Sequence, residues 1–350
     1  MEANTPRTDI GSMSREELTV YIKSFGEPAY RADQIYSWIH LKRVCDFAEM
    51  TDLSKKLRER LNTEAFLPVL SMREKQISDI DGTRKYLFEA CDGSFIETVL
   101  MRYEHGLSIC VSTQVGCRMG CAFCASGLDG WERNLSAYEI LSQVYEVSAD
   151  AGEHIGHVVV MGMGEPMDNY DNLIRFIRLL TDEKGYNISG RNITVSTCGI
   201  VPGIRKLAKE GLPVTLALSL HAADQRTRES IMPIAGRYAL DEVIAACREY
   251  FKETGRRVTY EYALIDGVND SEEHAGRLAS LIKGMGAHVN IIPVNPGGSD
   301  ERFKSSRQAA GLFKSRLEKY NINSTIRREM GRDIQGACGQ LRARRRKEQY

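Results

Sequence analysis

Residues 107–127, LSICVSTQVGCRMGCAFCASG, run from an apolar strand-like segment into three cysteines, Cys117, Cys121 and Cys124. Zinc takes four ligands, or three plus a water where it is catalytic. A C-x-x-x-C-x-x-C loop can instead wrap three corners of one [4Fe–4S] cube and leave the fourth iron open to a small molecule. Zinc or a redox-active thiol trio is the competing reading.

Downstream, the strand signal recurs. Apolar runs HVVVMG, NITVST, VTLALSL, VTYEYAL and HVNIIPV follow LSICVS. Amphipathic stretches such as SAYEILSQVYEV, NLIRFIRLLTDE, LDEVIAACREYF, EEHAGRLASLIK and RQAAGLFKSRLEK lie between them. Six βα repeats with nearly continuous apolar strands indicate a parallel sheet covered by helices. Six units fall two short of a closed eightfold barrel, so the expected α/β fold is a partial (β/α)6 barrel. A doubly wound sheet is the alternative.

Upstream, SREELTVYIKSFG, YRADQIYSWIHLKR and DLSKKLRERL carry apolar residues at helical spacing, and Pro68 closes the region. RKYLFEA and SFIETVLMRY read as strands joined at Asp92-Gly93, with Asp81-Gly82 marking the preceding hairpin turn. The expected organisation is a helical accessory unit over residues 1–68 and a β-hairpin extension over 69–102. A βα core over 103–335 and a cysteine-bearing loop with a basic tail over 336–350 complete it.

Both architectures gather functional groups at the C-terminal strand ends. There the sequence places MGMGEP (161–166), Ser196, SLHA (219–222) and Asn295. MGMGEP lacks the spacing of a dinucleotide loop and is not a phosphate loop. Its glycines let a ligand approach the backbone, and Glu165 can accept hydrogen bonds from an ammonium group. His221, beside Ser219, is a candidate pocket residue.

Apolar residues make up 42% and charged residues 27%, an ordinary soluble composition. No apolar run approaches the roughly 20 residues of a membrane span, and the start, MEANTPRTDIGSMSREEL, has no apolar signal core. A cytoplasmic protein with no membrane partner is expected. Nine cysteines in such a chain suggest metal or catalytic thiols over a disulfide framework. Net charge is zero, yet residues 301–350 hold 14 Lys+Arg against 5 Asp+Glu, most densely at RARRRK (342–347). Such a patch suits a polyanion such as RNA.

The cysteine loop after the first strand of a βα barrel resembles the radical S-adenosylmethionine (SAM) superfamily, in which the open iron chelates the amino and carboxylate groups of SAM. The segments ICVSTQVGCRMGCAFCAS, MGMGEP, SLHA, GVNDSEEHA, GRDIQGACGQL and GEPAYRADQIYSW narrow the resemblance, over nearly the whole chain, to the RlmN/Cfr family of RNA methyltransferases. The resemblance implies a radical SAM barrel with one [4Fe–4S] cluster on Cys117, Cys121 and Cys124. It implies SAM contacts from Gly164, Glu165, Ser196, Ser219, Leu220, His221 and Asn295. The implied substrates are 23S rRNA at the peptidyl-transferase centre and tRNA at the adenosine beside the anticodon. An electron donor such as flavodoxin or ferredoxin is the implied partner, and a monomer is expected.

An sp² C–H of adenine is neither nucleophilic nor acidic enough for polar methyl transfer, and the resemblance implies a solution using two SAM molecules. One methylates Cys338. The other is reductively cleaved to a radical that takes hydrogen from that methyl group, and the carbon radical then adds to adenine. Glu97 matches the family's proton acceptor, and Cys110 attacks the Cys338 sulfur, forming a transient disulfide as methylated RNA leaves. Read alone, Cys110 and Cys338 would be small buried hydrophobes and Glu97 an exposed strand carboxylate. In a dry, mostly apolar strand a carboxylate is pushed toward holding a proton, as a base needs. MGMGEP and SLHA favour C2 of adenine over C8, because Cfr-like sequences tend to have GEA and SLHS. C8 methylation conferring antibiotic resistance is one alternative, and an RNA-binding iron–sulfur protein without catalysis is the other. The N-terminal helices, with Arg31, Lys42 and Arg43, and the basic C-terminal segment form the expected RNA surface.

Overall fold

The computed structural model describes residues 7–127, 130–294 and 305–334. β1 (Thr8–Asp9) leads into α1 (Arg15–Ser24), where Ser14 and Glu17 form a reciprocal capping box. α2 (Tyr30–His40) and α3 (Lys55–Glu64, capped by Ser54) follow, burying Leu18, Ile22, Ile35, Ile39, Leu57 and Leu61. β2 (Ala65–Phe66) pairs with β1 and closes this unit. β3 (Ser71–Ile77), β4 (Arg84–Glu89) and β5 (Phe95–Tyr103) form an antiparallel meander that continues into β6 (Gly106–Cys110). β3 is the strand that the hairpin turn at Asp81-Gly82 implies, although its own sequence gives no strand signal. Its stretch SMREKQI carries three consecutive charges, which an exposed edge strand tolerates.

β7 (Gln114–Gly116) and β8 (Trp131–Asn134) make a separate ribbon, and α4 (Ala137–Ala151) then packs on the sheet. The chain continues through β9 (His157–Val160), α5 (Tyr170–Thr181), β10 (Ile193–Thr197), α6 (Val201–Ala208) and β11 (Thr215–Ser219). It goes on through α7 (Gln225–Ile231), α8 (Leu240–Thr254), β12 (Val258–Leu264), α9 (Glu272–Ile282), β13 (His288–Pro293), α10 (Arg307–Lys319) and β14 (Asn323–Ile326).

One ten-stranded sheet runs β14-β13-β12-β11-β10-β9-β6-β5-β4-β3. From β6 to β14 every pair is parallel and the order follows the chain without reversal. A doubly wound sheet requires a reversal, so the partial barrel holds. The sheet also curls: Met101 on β5 and Arg327, just beyond β14, line one cavity of about 370 Å³. Several elements carry no clear sequence signal, β14 and α6 among them. β14 is a seventh parallel strand whose sequence, NSTI, is too short and polar to stand out. α6 opens with Val-Pro-Gly, which reads as a breaker, although proline fits a helix's first turn. Gly203 is needed there because a Cβ would lie 2.8 Å from Met167 Cβ. Among the described residues no helix is long and apolar enough to cross a membrane.

The accessory helices dock on α4 through His40, whose buried Nδ1 lies 3.0 Å from the Tyr145 hydroxyl oxygen. Burial pulls the His40 pKa down from 6.5 to about 3. The unfolded chain therefore takes up a proton as pH falls through 6.5, and the folded chain refuses it until about 3. Stability from this group is complete above that window and is lost on acidification through it. Between pH 7 and pH 5 the loss should be about 2 kcal/mol. Urea unfolding at both pH values checks this, and the acid-dependent loss should shrink by that amount in His40→Gln.

Candidate active site

The cysteine loop hangs from a closed base. β7 and β8 pair antiparallel, with Val115 opposite Arg133, and Cys117 N donates to Gly130 O at 3.1 Å. Gly120 turns the loop at φ +66, a conformation that favours glycine. Beneath it, Cys198, Ala222, Ile231, Met232 and Ile265 form an apolar platform against Met119, Cys121 and Phe123. Ala122 N donates to Ile231 O at 3.0 Å, tying the loop to the end of α7. Arg118 lies 3.8 Å over the Trp131 ring and reaches Asp168 at 2.9 Å, so the Trp131 segment braces the loop from outside.

Burial pushes the Cys117 and Cys121 thiols up to about 12. A bound cation would therefore have to convert them to thiolates. The donor chemistry fits an iron–sulfur cluster on these grounds. Among the described residues no three His, Cys, Asp or Glu side chains already stand around a metal position, so the sulfurs share a loop without a finished ligand shell.

At the end of β9, the group nearest the glycines is the chain itself. A Cβ on Gly162 would lie 2.6 Å from Val111 O, and one on Gly164, at φ +102, would lie 2.6 Å from Gln114 Cβ. Glu165 is buried, and burial raises its pKa. Its Oε1 accepts from Met167 N at 3.1 Å and its Oε2 from Cys198 N at 2.8 Å, knitting the ends of β9 and β10 together. Any bond to a ligand's ammonium group would use the remaining lone pairs.

Ser196 and Ser219 place their hydroxyl oxygens 3.4 Å apart. Leu220 buries its side chain in the main core. His221 adopts φ +56, a strained value for a non-glycine residue. Its Nδ1 accepts from Ala263 N at 2.9 Å, which assigns the ring proton to Nε2, and its ring meets Phe123 edge-on at 4.8 Å. Burial pulls its pKa to about 3, so the ring is neutral at working pH. Asn295, Cys338 and the RARRRK tail lie outside the described residues.

Cys110 sits opposite Val99 in the β5–β6 register, and Glu97 lies two residues along β5 on the same face. The expectation of a carboxylate among apolar neighbours needs correcting. Lys85 Nζ on β4 stands 3.0 Å from Glu97 Oε2, and both side chains are 0% exposed. Within RKYLFEA, Lys85 reads as a surface cation, and no sequence signal marks its burial. The accessory cations also divide. Lys42 is exposed over the Trp38 ring, whereas Arg43 packs on Tyr145 and Tyr186, and Arg31 bonds Gln34 and Asp52.

After β14 the chain crosses the open side of the barrel as a strap. Arg327 N donates to Ile291 O at 2.8 Å, and Met330 packs with Val99, Met101 and Cys110. Gly331 N donates to Asp81 Oδ2 at 2.9 Å, while Asp333 accepts from Ser78 Oγ at 2.6 Å and Asp79 N at 2.8 Å. The turn that Asp81-Gly82 announced therefore anchors the chain shortly before Cys338.

A partial barrel whose first strand feeds a three-cysteine loop defines a radical SAM protein. The Radical SAM superfamily model matches residues 111–279, and the Ribosomal RNA large subunit methyltransferase N-terminal domain matches residues 8–67. The probable dual-specificity RNA methyltransferase RlmN of Lachnoclostridium phytofermentans is 53% identical over 98% of this chain and 96% of its own length. Its counterpart of the same name in Geobacillus kaustophilus is 50% identical over 99% of this chain and 96% of its own length. The crystal structure of a radical SAM methyltransferase from Sphaerobacter thermophilus superposes with a TM-score of 0.90 at 44% identity, covering 95% of this chain and 98% of that one. The chain belongs to the RlmN family of dual-specificity RNA methyltransferases.

Proposed function

We propose that the chain methylates C2 of an adenosine in the peptidyl-transferase centre of 23S rRNA, and of the adenosine beside the tRNA anticodon, with Cys338 carrying the methyl group. The strap is the observation that supports this most. Met330 packs beside Cys110, and Cys338 follows eight residues further along the same chain.

Cys117, Cys121 and Cys124 would hold a [4Fe–4S] cluster. Gly164, Glu165, Ser196, Ser219, the Leu220 backbone, His221 and Asn295 would hold SAM. When bound, the two supply one-electron chemistry able to activate a methyl C–H bond. Cys338 Sγ accepts the methyl group beforehand. Unstacked adenine enters the barrel interior, as base chemistry requires. Glu97, held in place by Lys85, takes the proton from the ring carbon that receives the new group, and the one electron released with it would return to the cluster. Cys110 Sγ then attacks Cys338 Sγ. The sulfur–carbon bond breaks, its electron pair stays with the product carbon, which gains a proton, and a Cys110–Cys338 disulfide remains. An external electron donor restores the two thiols.

MGMGEP and SLHA favour C2 over C8. Incubating reduced protein with SAM and RNA, followed by mass spectrometry of nucleosides, tests the assignment. We expect 2-methyladenosine, and 8-methyladenosine alone would overturn the C2 assignment. Absence of both methylated adenosine and 5′-deoxyadenosine would leave an RNA-binding iron–sulfur protein.

A further inference from the structure

Arg228, on α7, is fully buried. Its Nη2 donates to Cys198 O at 2.6 Å and its Nε to Leu220 O at 3.3 Å, while Nη1 has no hydrogen-bond partner among the described residues. Two neutral carbonyls accept from it, but among the described residues no carboxylate pairs with it. A buried cation without a counter-charge is costly, and so is a buried N–H left unsatisfied.

Cysteines lie within electrostatic reach of this guanidinium. Cys198, whose carbonyl it holds, packs in the same platform as Cys121. Ile231, three residues further on, clasps the cysteine loop at Ala122, between Cys121 and Cys124. Burial pulls the Arg228 pKa below its usual value, and Cys198, Cys121 and Cys247 oppose that shift to the extent that they ionise. An uncompensated guanidinium behind a three-cysteine loop makes electrostatic sense once that loop carries thiolate charge.

We propose that Arg228 is a positioning residue for the cluster, its buried charge balancing the thiolates of Cys117, Cys121 and Cys124 and favouring the reduced state. The inference rests on the cluster assignment made above. An added electron is stabilised by a nearby fixed positive charge, so Arg228 raises the reduction potential.

Anaerobic reconstitution of wild type, Arg228→Gln and Arg228→Lys with iron and sulfide tests this. Iron per chain, midpoint potential by redox titration and melting of the metal-free proteins are the readouts. Arg228→Gln should lower the one-electron potential by about 59 mV, a tenfold change in the reduction equilibrium. Arg228→Lys should stay near wild type. Failure of Arg228→Gln to load iron, with a wild-type metal-free melt and normal loading of Arg228→Lys, would support the same role. Full loading of Arg228→Gln at the wild-type potential would overturn it, and a lower metal-free melt alongside would mark a purely structural brace. Should Arg228→Gln not fold, Arg228→Lys decides, and loss of its loading or a lowered potential overturns the inference. Wild type that binds no iron would instead overturn the cluster assignment, and this inference with it.

Discussion

Cys338→Ala should abolish RNA methylation, by at least roughly a thousandfold, while iron content and cluster absorbance stay at wild-type level. The loss follows from covalent catalysis: without the sulfur, no group holds the methyl carbon beside the adenine. The cluster should persist because described residues other than Cys338 hold the cysteine loop. Its base is β7 paired with β8, and its floor is the platform around Ile231 and Met232. Methyl transfer from labelled SAM, measured beside an iron assay, checks both halves. Residual turnover would remove Cys338 from the pathway.

Cys121→Ala should fail earlier, losing the brown absorbance, most of the bound iron and all methyl transfer. Of the two loop cysteines with raised pKa values, Cys121 is the one packed against the apolar platform, and its carbonyl accepts from Cys124 N at 3.0 Å. The alanine keeps that backbone bond and the fold, so a normal melt of the metal-free variant together with lost iron isolates the ligand role. Unchanged iron content would refute the ligand assignment.

Much of this architecture was legible because it depends on periodic burial. Six apolar runs separated by amphipathic stretches gave the barrel, and small or polar residues at the strand ends gave its functional rim. The sequence signal faded where burial contradicts residue type. Lys85 and Arg228 sit among other charged residues, in RKYLFEA and QRTRES, and each reads as a solvated cation. Only the register of β4 against β5 buries Lys85 beside Glu97, and only the packing of α7 under the cysteine loop buries Arg228. The glycines of MGMGEP show a related gap. The requirement for close approach was readable, but the approaching group in the structure is the chain's own Val111 and Gln114. The strap was hidden for a different reason. Asp81-Gly82 reads locally as a turn, and its bonds to residues 331–333 lie some 250 positions away along the chain.

The central claim, that methylated product leaves through a Cys338 adduct resolved by Cys110, is tested most directly in Cys110→Ala. After reaction with SAM, reductant and RNA, followed by nuclease and protease digestion, the Cys338 peptide should carry an adenosine joined through one carbon to sulfur. An unmodified Cys338 peptide together with freely released methylated RNA would contradict the account.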